Sequence, residues 1–170
     1  YGIASSMAYM HSYGIIHRNL NPSNIYLDDI LCPKIGEFGL LARFTDTNNM
    51  THQSMSGAKG TPIYSAPEVL EFNTYTESSD VYSFSLVVYE LLTNDKPFSE
   101  INNISQIYNK IVVKGERPAI KKEIPEKFKK LIEQCWSQDP SLRPKFKDIV
   151  YFLKMDNEFI TDEINKEDYE

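Results

Sequence analysis

The 170 residues are 41% hydrophobic and 25% charged, with 9 prolines, 7 glycines and 2 cysteines, which excludes a disordered tail, a collagen-like repeat and a disulfide scaffold. The net charge of −6 comes from the last fifteen residues, where seven carboxylates accompany the single cation Lys166. The body before them is neutral, and no part has the basic excess of a nucleic-acid or anionic-membrane binder.

From the N-terminus, Ile3, Met7 and Met10 form a sparse helical stripe. Ile25-Tyr-Leu and Pro33-Lys-Ile are short β-prone runs on either side of Asp28-Asp29, a hairpin-like connection. From Leu41 to Ser65 the chain is rich in Thr, Asn, Ser, Gly and Lys without periodicity, which predicts a long functional or mobile loop. Val81–Leu92 has nine apolar residues in twelve. This run is too short to span a bilayer, so it predicts a helix buried on all sides at the centre of the fold, with Thr76, Ser78 and Ser79 as cap candidates. Three amphipathic helices follow. One carries Ile104, Ile107, Tyr108 and Ile111. The next carries Phe128, Leu131, Ile132, Cys135 and Trp136, with Pro125 suited to its first position, and the last carries Phe146, Ile149, Val150 and Leu153.

The reading is a mainly α body with one small hairpin and one long loop. Cys32 and Cys135 lack metal-ligand spacing, and Tyr1 opens the chain without a basic leader. Both features predict reduced thiols in a cytoplasmic protein.

Several short segments recur in a meaningful order. His17-Arg-Asn-Leu-Asn-Pro-Ser-Asn24 precedes Glu37-Phe-Gly39, then Gly60-Thr-Pro-Ile-Tyr-Ser-Ala-Pro-Glu68, Asp80-Val-Tyr-Ser-Phe, and Cys135-Trp-x-x-Asp-Pro-x-x-Arg-Pro-x-Phe146. In this order the chain resembles the eukaryotic protein kinases, in their tyrosine-kinase-like serine/threonine branch, over about residues 1–154. The Leu-Asn-Pro-Ser-Asn run and Gly60-Thr61 favour the serine/threonine side. The resemblance implies the helical C-terminal lobe of a kinase fold, with residues 155–170 as a flexible acidic tail. It implies ATP and Mg²⁺ as the family's cofactors, a protein partner or protein substrate, and neither nucleic acid nor membrane.

Phosphoryl transfer is mostly positioning and charge neutralisation, so the polar positions of such a site are telling. The resemblance places Asn19 where the family has the Asp that accepts the substrate proton. An amide is no base near neutral pH, and such a group contributes about 10²–10⁴-fold. Asn21 stands for the phosphate-contacting Lys, and Asn24 matches the metal-binding Asn. Glu37 stands for the metal-binding Asp, its extra methylene moving the oxygens by roughly 1.5 Å in a site where Mg²⁺ demands near-ideal geometry. Asn19 and Asn21 are thus degenerate, Glu37 is compromised, and Asn24 is kept.

The structural positions are retained. His17 and Phe38, beside Gly39, match the residues that couple the two lobes. Asp80 matches the buried acid that holds the catalytic-loop backbone, and Glu68 with Arg143 matches a long-range ion pair. Without the resemblance, His17 reads as a packed core histidine and Arg18 as a surface cation. With it, Arg18 lines the pocket for a phosphorylated loop, for which Thr45, Thr47, Thr51, Ser54 and Ser56 are acceptors. Tyr26 occupies the place beneath the adenine ring, where it is either a cross-strand aromatic or an obstruction of the nucleotide pocket.

The 170 residues contain no G-x-G-x-x-G array, and the strand Lys and helix Glu of an N-terminal lobe are not recognisable. The expectation is therefore a C-terminal-lobe fragment that binds neither ATP nor Mg²⁺ alone and exposes an apolar face toward the lobe it lacks. Three functions fit: a pseudokinase lobe acting in signalling through protein contacts, a serine/threonine kinase whose N-lobe lies outside the sequence, and a non-functional gene remnant.

Overall fold

A computed structural model describes residues 1–37, 62–101 and 103–155. In chain order the elements are α1 (Gly2–Ser12), β1 (Ile25–Leu27), β2 (Pro33–Ile35), α2 (Pro67–Phe72), α3 (Glu77–Thr93), α4 (Ile104–Tyr108), α5 (Glu126–Cys135) and α6 (Phe146–Met155). Short 3₁₀ turns lie at Pro22–Asn24, Pro62–Tyr64 and Pro140–Leu142, and a π-helical turn, Asn109–Val113, continues α4. The architecture is mainly α with one antiparallel hairpin, as the sequence predicts.

α3 is the centre of the fold because nearly every residue of its first three turns is apolar or small. Val81, Phe84 and Val87 face a cluster with Ala4, Met7, Leu20, Leu131, Cys135, Phe146, Ile149 and Leu153. Tyr82, Leu86 and Tyr89 face a second cluster with Ile63, Ala66, Phe98, Ile107, Ile111, Ile132 and Trp136. One helix therefore divides two half-cores. Its start is fixed by a capping box, in which the Thr76 hydroxyl accepts from the Ser79 backbone N–H and the Ser79 hydroxyl accepts from that of Thr76. Asn94 ends it in the left-handed conformation that Asn tolerates.

Two helical boundaries depart from the sequence reading. Pro125 caps α5 instead of opening it, as its ψ of 135° is extended. Ile104–Val113 is one apolar stripe but two helical forms, since the i→i+4 ladder gives way to a π turn at Asn109. The long polar stretch is also shorter at its end than composition suggests, because Pro62–Tyr64 forms an ordered turn. Ser83 Oγ holds that turn by donating to the Tyr64 carbonyl at 2.8 Å.

The hairpin pairs Ile25 with Ile35, Tyr26 with Lys34 and Leu27 with Pro33. Asp28 shapes its loop, accepting from the backbone N–H of Ile30 and Cys32 and pairing with Lys34 at 3.2 Å. α1 packs along α6 and touches β2, and a Cβ on Gly2 would meet the Pro33 ring at 2.5 Å. The hairpin therefore sits on the helical body, with its outer face open.

Candidate functional site

The site is assembled around Asp80, in the first turn of α3. Its carboxylate is buried and accepts three hydrogen bonds: from the backbone N–H of His17 at 2.8 Å, from that of Arg18 at 2.9 Å, and from His11 Nε2 at 2.9 Å. A buried carboxylate needs such partners to stay charged. The bonds hold Arg18 at φ 70°, a conformation that costs a non-glycine residue about 1–2 kcal/mol. The segment after α1 is thereby pinned to the central helix.

His17 is buried between two backbone groups that fix its tautomer. Gly36 offers only a carbonyl, so His17 Nε2 donates to it at 3.1 Å. Asn19 offers only an N–H, which donates to Nδ1 at 3.2 Å. Burial holds the imidazole below its ordinary pKa, against the attraction of Asp80. A neutral ring therefore ties the loop after α1 to the segment after β2.

The asparagines form a closed set. Asn21 Nδ2 donates to the Asn19 carbonyl at 2.9 Å and to Asn19 Oδ1 at 3.1 Å, while Asn21 Oδ1 accepts from the Ser23 backbone at 3.0 Å. That last bond caps the 3₁₀ turn Pro22–Asn24. Asn24 is buried and donates Nδ2 to the same Asn19 carbonyl at 2.8 Å. The Asn24 carbonyl accepts from the Gly36 N–H at 2.9 Å, which sets Glu37 next to this cluster. Glu37 is exposed and has φ 54°. With its Nδ2 engaged, Asn24 has its amide oxygen to offer a cation, and Glu37 a carboxylate. Those two donors suit part of a Mg²⁺ shell, which takes few protein carboxylates. No cluster of three or more His, Cys, Asp or Glu side chains with metal-binding geometry occurs among the described residues.

Tyr26 lies on the hairpin face beside this cluster, half exposed, with its ring against Gly36. Arg18 stacks its guanidinium 5.8 Å from the Tyr75 ring centroid. Its Nε is buried without a hydrogen-bond partner among the described residues. Glu68, in α2, receives both Nη1 and Nη2 of Arg143, at 2.6 and 2.9 Å. Arg143 also donates Nε to the Ser137 carbonyl and Nη1 to that of Ser78. Phe38, Gly39 and the five loop hydroxyls from Thr45 to Ser56 lie outside the described residues, as does the acidic tail.

Three participants escaped the sequence reading. His11 completes the Asp80 hub, and its signal was a polar residue in register with Ala4 and Met7 on the buried face of α1. Tyr82 and Arg117 build a stack in which the guanidinium groups of Arg117 and Arg143 lie 5.2 and 5.1 Å from the Tyr82 ring centroid. Burial pushes the Tyr82 phenol up to about 12. Neither the spacing of Arg117 nor its surroundings in sequence marks it.

The profile of the protein tyrosine and serine/threonine kinases matches residues 1–153. The dual specificity protein kinase shkC of Dictyostelium discoideum is 42% identical over 138 residues, covering 81% of this chain and 27% of that protein. The serine/threonine-protein kinase STY17 of Arabidopsis thaliana is 37% identical over 151 residues, 89% of this chain and 25% of that protein. A probable LIM domain-containing serine/threonine-protein kinase of Dictyostelium discoideum is 37% identical over 164 residues, 96% of this chain and 24% of that protein. The chain thus spans about a quarter of the length of these relatives. No described helix is long and apolar enough to cross a membrane. With the profile matched from the first residue through most of α6, and relatives on the tyrosine-kinase-like side, the chain belongs to the protein tyrosine and serine/threonine kinase family.

Proposed function

We propose that this chain is the helical lobe of a catalytically impaired kinase domain, a pseudokinase lobe that acts in cytoplasmic signalling through contacts with protein partners. The observation that carries the reading is the closed asparagine set. Where the family positions a carboxylate and a lysine, Asn19 and Asn21 offer amides that bond to each other and to the backbone. Neither accepts a proton near neutral pH, and neither brings a positive charge to a phosphoryl group. The Asp80 hub and the Glu68–Arg143 pair support a role for the scaffold itself, since both are kept with complete hydrogen bonding. ATP and Mg²⁺ are the family's cofactors. Asn24 and Glu37 are the residues that would hold the metal, and Tyr26 lies where the base would rest.

The test is phosphotransfer to a generic peptide by the full-length natural protein, with Mg²⁺ or Mn²⁺. Impaired catalysis predicts turnover far below about 1 s⁻¹, the low end for kinases, and recovery in the triple variant Asn19→Asp, Asn21→Lys, Glu37→Asp. Turnover above that value in the natural protein overturns the reading. It would favour the second one, a weakly active serine/threonine kinase, which the retained Asn24 and the carboxylate of Glu37 support.

A further inference from the structure

We infer that the outer face of α6 is a docking surface for an acidic, apolar segment, and that residues 156–170 of this same chain occupy it. This replaces the freely solvated tail that their composition alone suggests.

α6 turns Phe146, Ile149 and Leu153 into the core. Its other side carries Lys147, Tyr151 and Lys154, whose i, i+4 and i+7 spacing places them on one face. Phe152 and Met155 flank this stripe. Tyr151 is 61% exposed, Met155 65% and Phe152 44%, and the Tyr151 and Phe152 rings meet edge-on with centroids 6.2 Å apart. The solvent side of a surface helix is ordinarily polar and charged. Here three large apolar side chains stand together in water within five residues of one another.

The charges on this side are unmatched as well. Lys147 and Lys154, with Lys145 just before the helix, are exposed and have no ion-pair partner among the described residues. Other surface lysines do have one: Lys34 pairs with Asp28, Lys110 with Glu100 and Glu116, and Lys130 with Glu126. The α6 face thus combines unpaired positive charge with uncovered apolar area, and what suits it is a segment with carboxylates and apolar side chains interleaved.

Residues 156–170 have that chemistry. Seven carboxylates stand there against the single Lys166, and Phe159, Ile160, Ile164 and Tyr169 lie among them. The segment starts at the residue after α6, so it meets the face at an effective concentration of about millimolar. Fifteen residues can extend about 50 Å, whereas ten residues of helix rise about 15 Å, so Lys147 is within reach once the chain reverses. Each exposed ion pair is weak, but tethering lets several weak pairs and a modest apolar contact suffice. A protein partner that used this face would first have to displace the tail.

The experiment is pulsed hydrogen–deuterium exchange on the full-length natural protein, followed in peptides that cover residues 156–170. Docking predicts tail amides that exchange more slowly than an unstructured chain at low salt. In 1 M NaCl, where the screening length is about 3 Å, exchange should approach the unstructured rate. Lys147→Glu should speed tail exchange about threefold or more, and Tyr151→Ser should speed it through lost apolar contact. Unchanged exchange in α3 shows that both variants are folded. Lys147 lies too far back along α6 to touch a helical extension of it. Tail protection that survives Lys147→Glu would therefore mean that the segment merely continues α6, and would overturn the inference. Exchange at the unstructured rate in the natural protein would overturn it equally. Protection that falls on dilution would put the tail of a second copy on the face and overturn the assignment to the same chain.

Discussion

Asn21 donates its side-chain amide to both oxygens of Asn19, at 2.9 Å to the carbonyl and 3.1 Å to the side chain. One residue thus serves as a clamp on its neighbour and, through its own oxygen, as the cap of the next turn. Asn21→Ala should cost about 1 kcal/mol, the ordinary value of a lost cap. Asn19→Asp should instead stabilise the chain at pH 7, because a carboxylate accepts the Asn21 donor more strongly than an amide does. That gain should vanish as the pH falls below the carboxyl range. Urea unfolding of both variants at pH 7 checks the pair, and a stabilised Asn21→Ala would refute the clamp.

The Arg143 side chain is fully enclosed and makes four hydrogen bonds, two of them to Glu68. Removing it leaves the largely buried Glu68 carboxylate without its counter-charge. Arg143→Met should therefore cost about 3–5 kcal/mol. Arg143→Lys keeps the charge but loses the two-pronged contact, and should fall between the two. Denaturant midpoints order the three proteins, and an Arg143→Met midpoint equal to the natural one would remove the pair as a structural element.

His17 gives a pH dependence whose sign is fixed. Burial depresses its folded-state pKa below the ordinary 6.5. Between those two values the unfolded chain binds more protons, so stability rises with pH across the window. It is lost as the pH falls from about 6.5 toward the folded value, when Nδ1 takes a proton and can no longer accept from Asn19. Unfolding free energies measured from pH 7.5 to 5 should show this slope. His17→Phe should flatten it while lowering stability throughout.

The two thiols should separate cleanly. Cys32 is exposed in the hairpin loop, whereas Cys135 is buried in the core and burial pushes its pKa up to about 12. Only the thiolate is the nucleophile. At pH 8 a disulfide reagent should titrate one thiol per folded chain and two after denaturation. Rapid modification of both would mean that α5 opens readily from the core.

Leu31 sits at φ 62° in the hairpin loop and is 74% exposed, so it pays for a left-handed backbone while burying little. Leu31→Gly should stabilise the chain by about 1 kcal/mol, read as an upward shift of the urea midpoint. A loss instead would show that the leucine is packed in solution.

The elements legible in sequence were those with a strong apolar period or a continuous apolar run. α3 and α6 are such cases, and the hairpin was visible because β-prone triplets flank Asp28-Asp29. α2 was not, since six residues give less than two turns of pattern, and its signal was only Pro67 and Glu68 at its start. The site was legible through motif order at His17, Asp80, Glu68 and Arg143. The mutual bonding of Asn19, Asn21 and Asn24 was not, because nothing in a string of asparagines says whether their amides meet each other or solvent. The fit of Tyr26 onto Gly36 was hidden for a similar reason. It depends on strand register, which composition does not carry.

Asp80 lies 62, 63 and 69 positions from the three residues it binds. Contacts of such separation are made late in folding, after loop-closure entropy has been met. The left-handed turn at Arg18 is accordingly expected to form only once α3 has docked, with the loop that carries the asparagines ordered late. Asp80→Ala should thus leave the refolding rate almost unchanged and accelerate unfolding, placing the hub on the native side of the barrier.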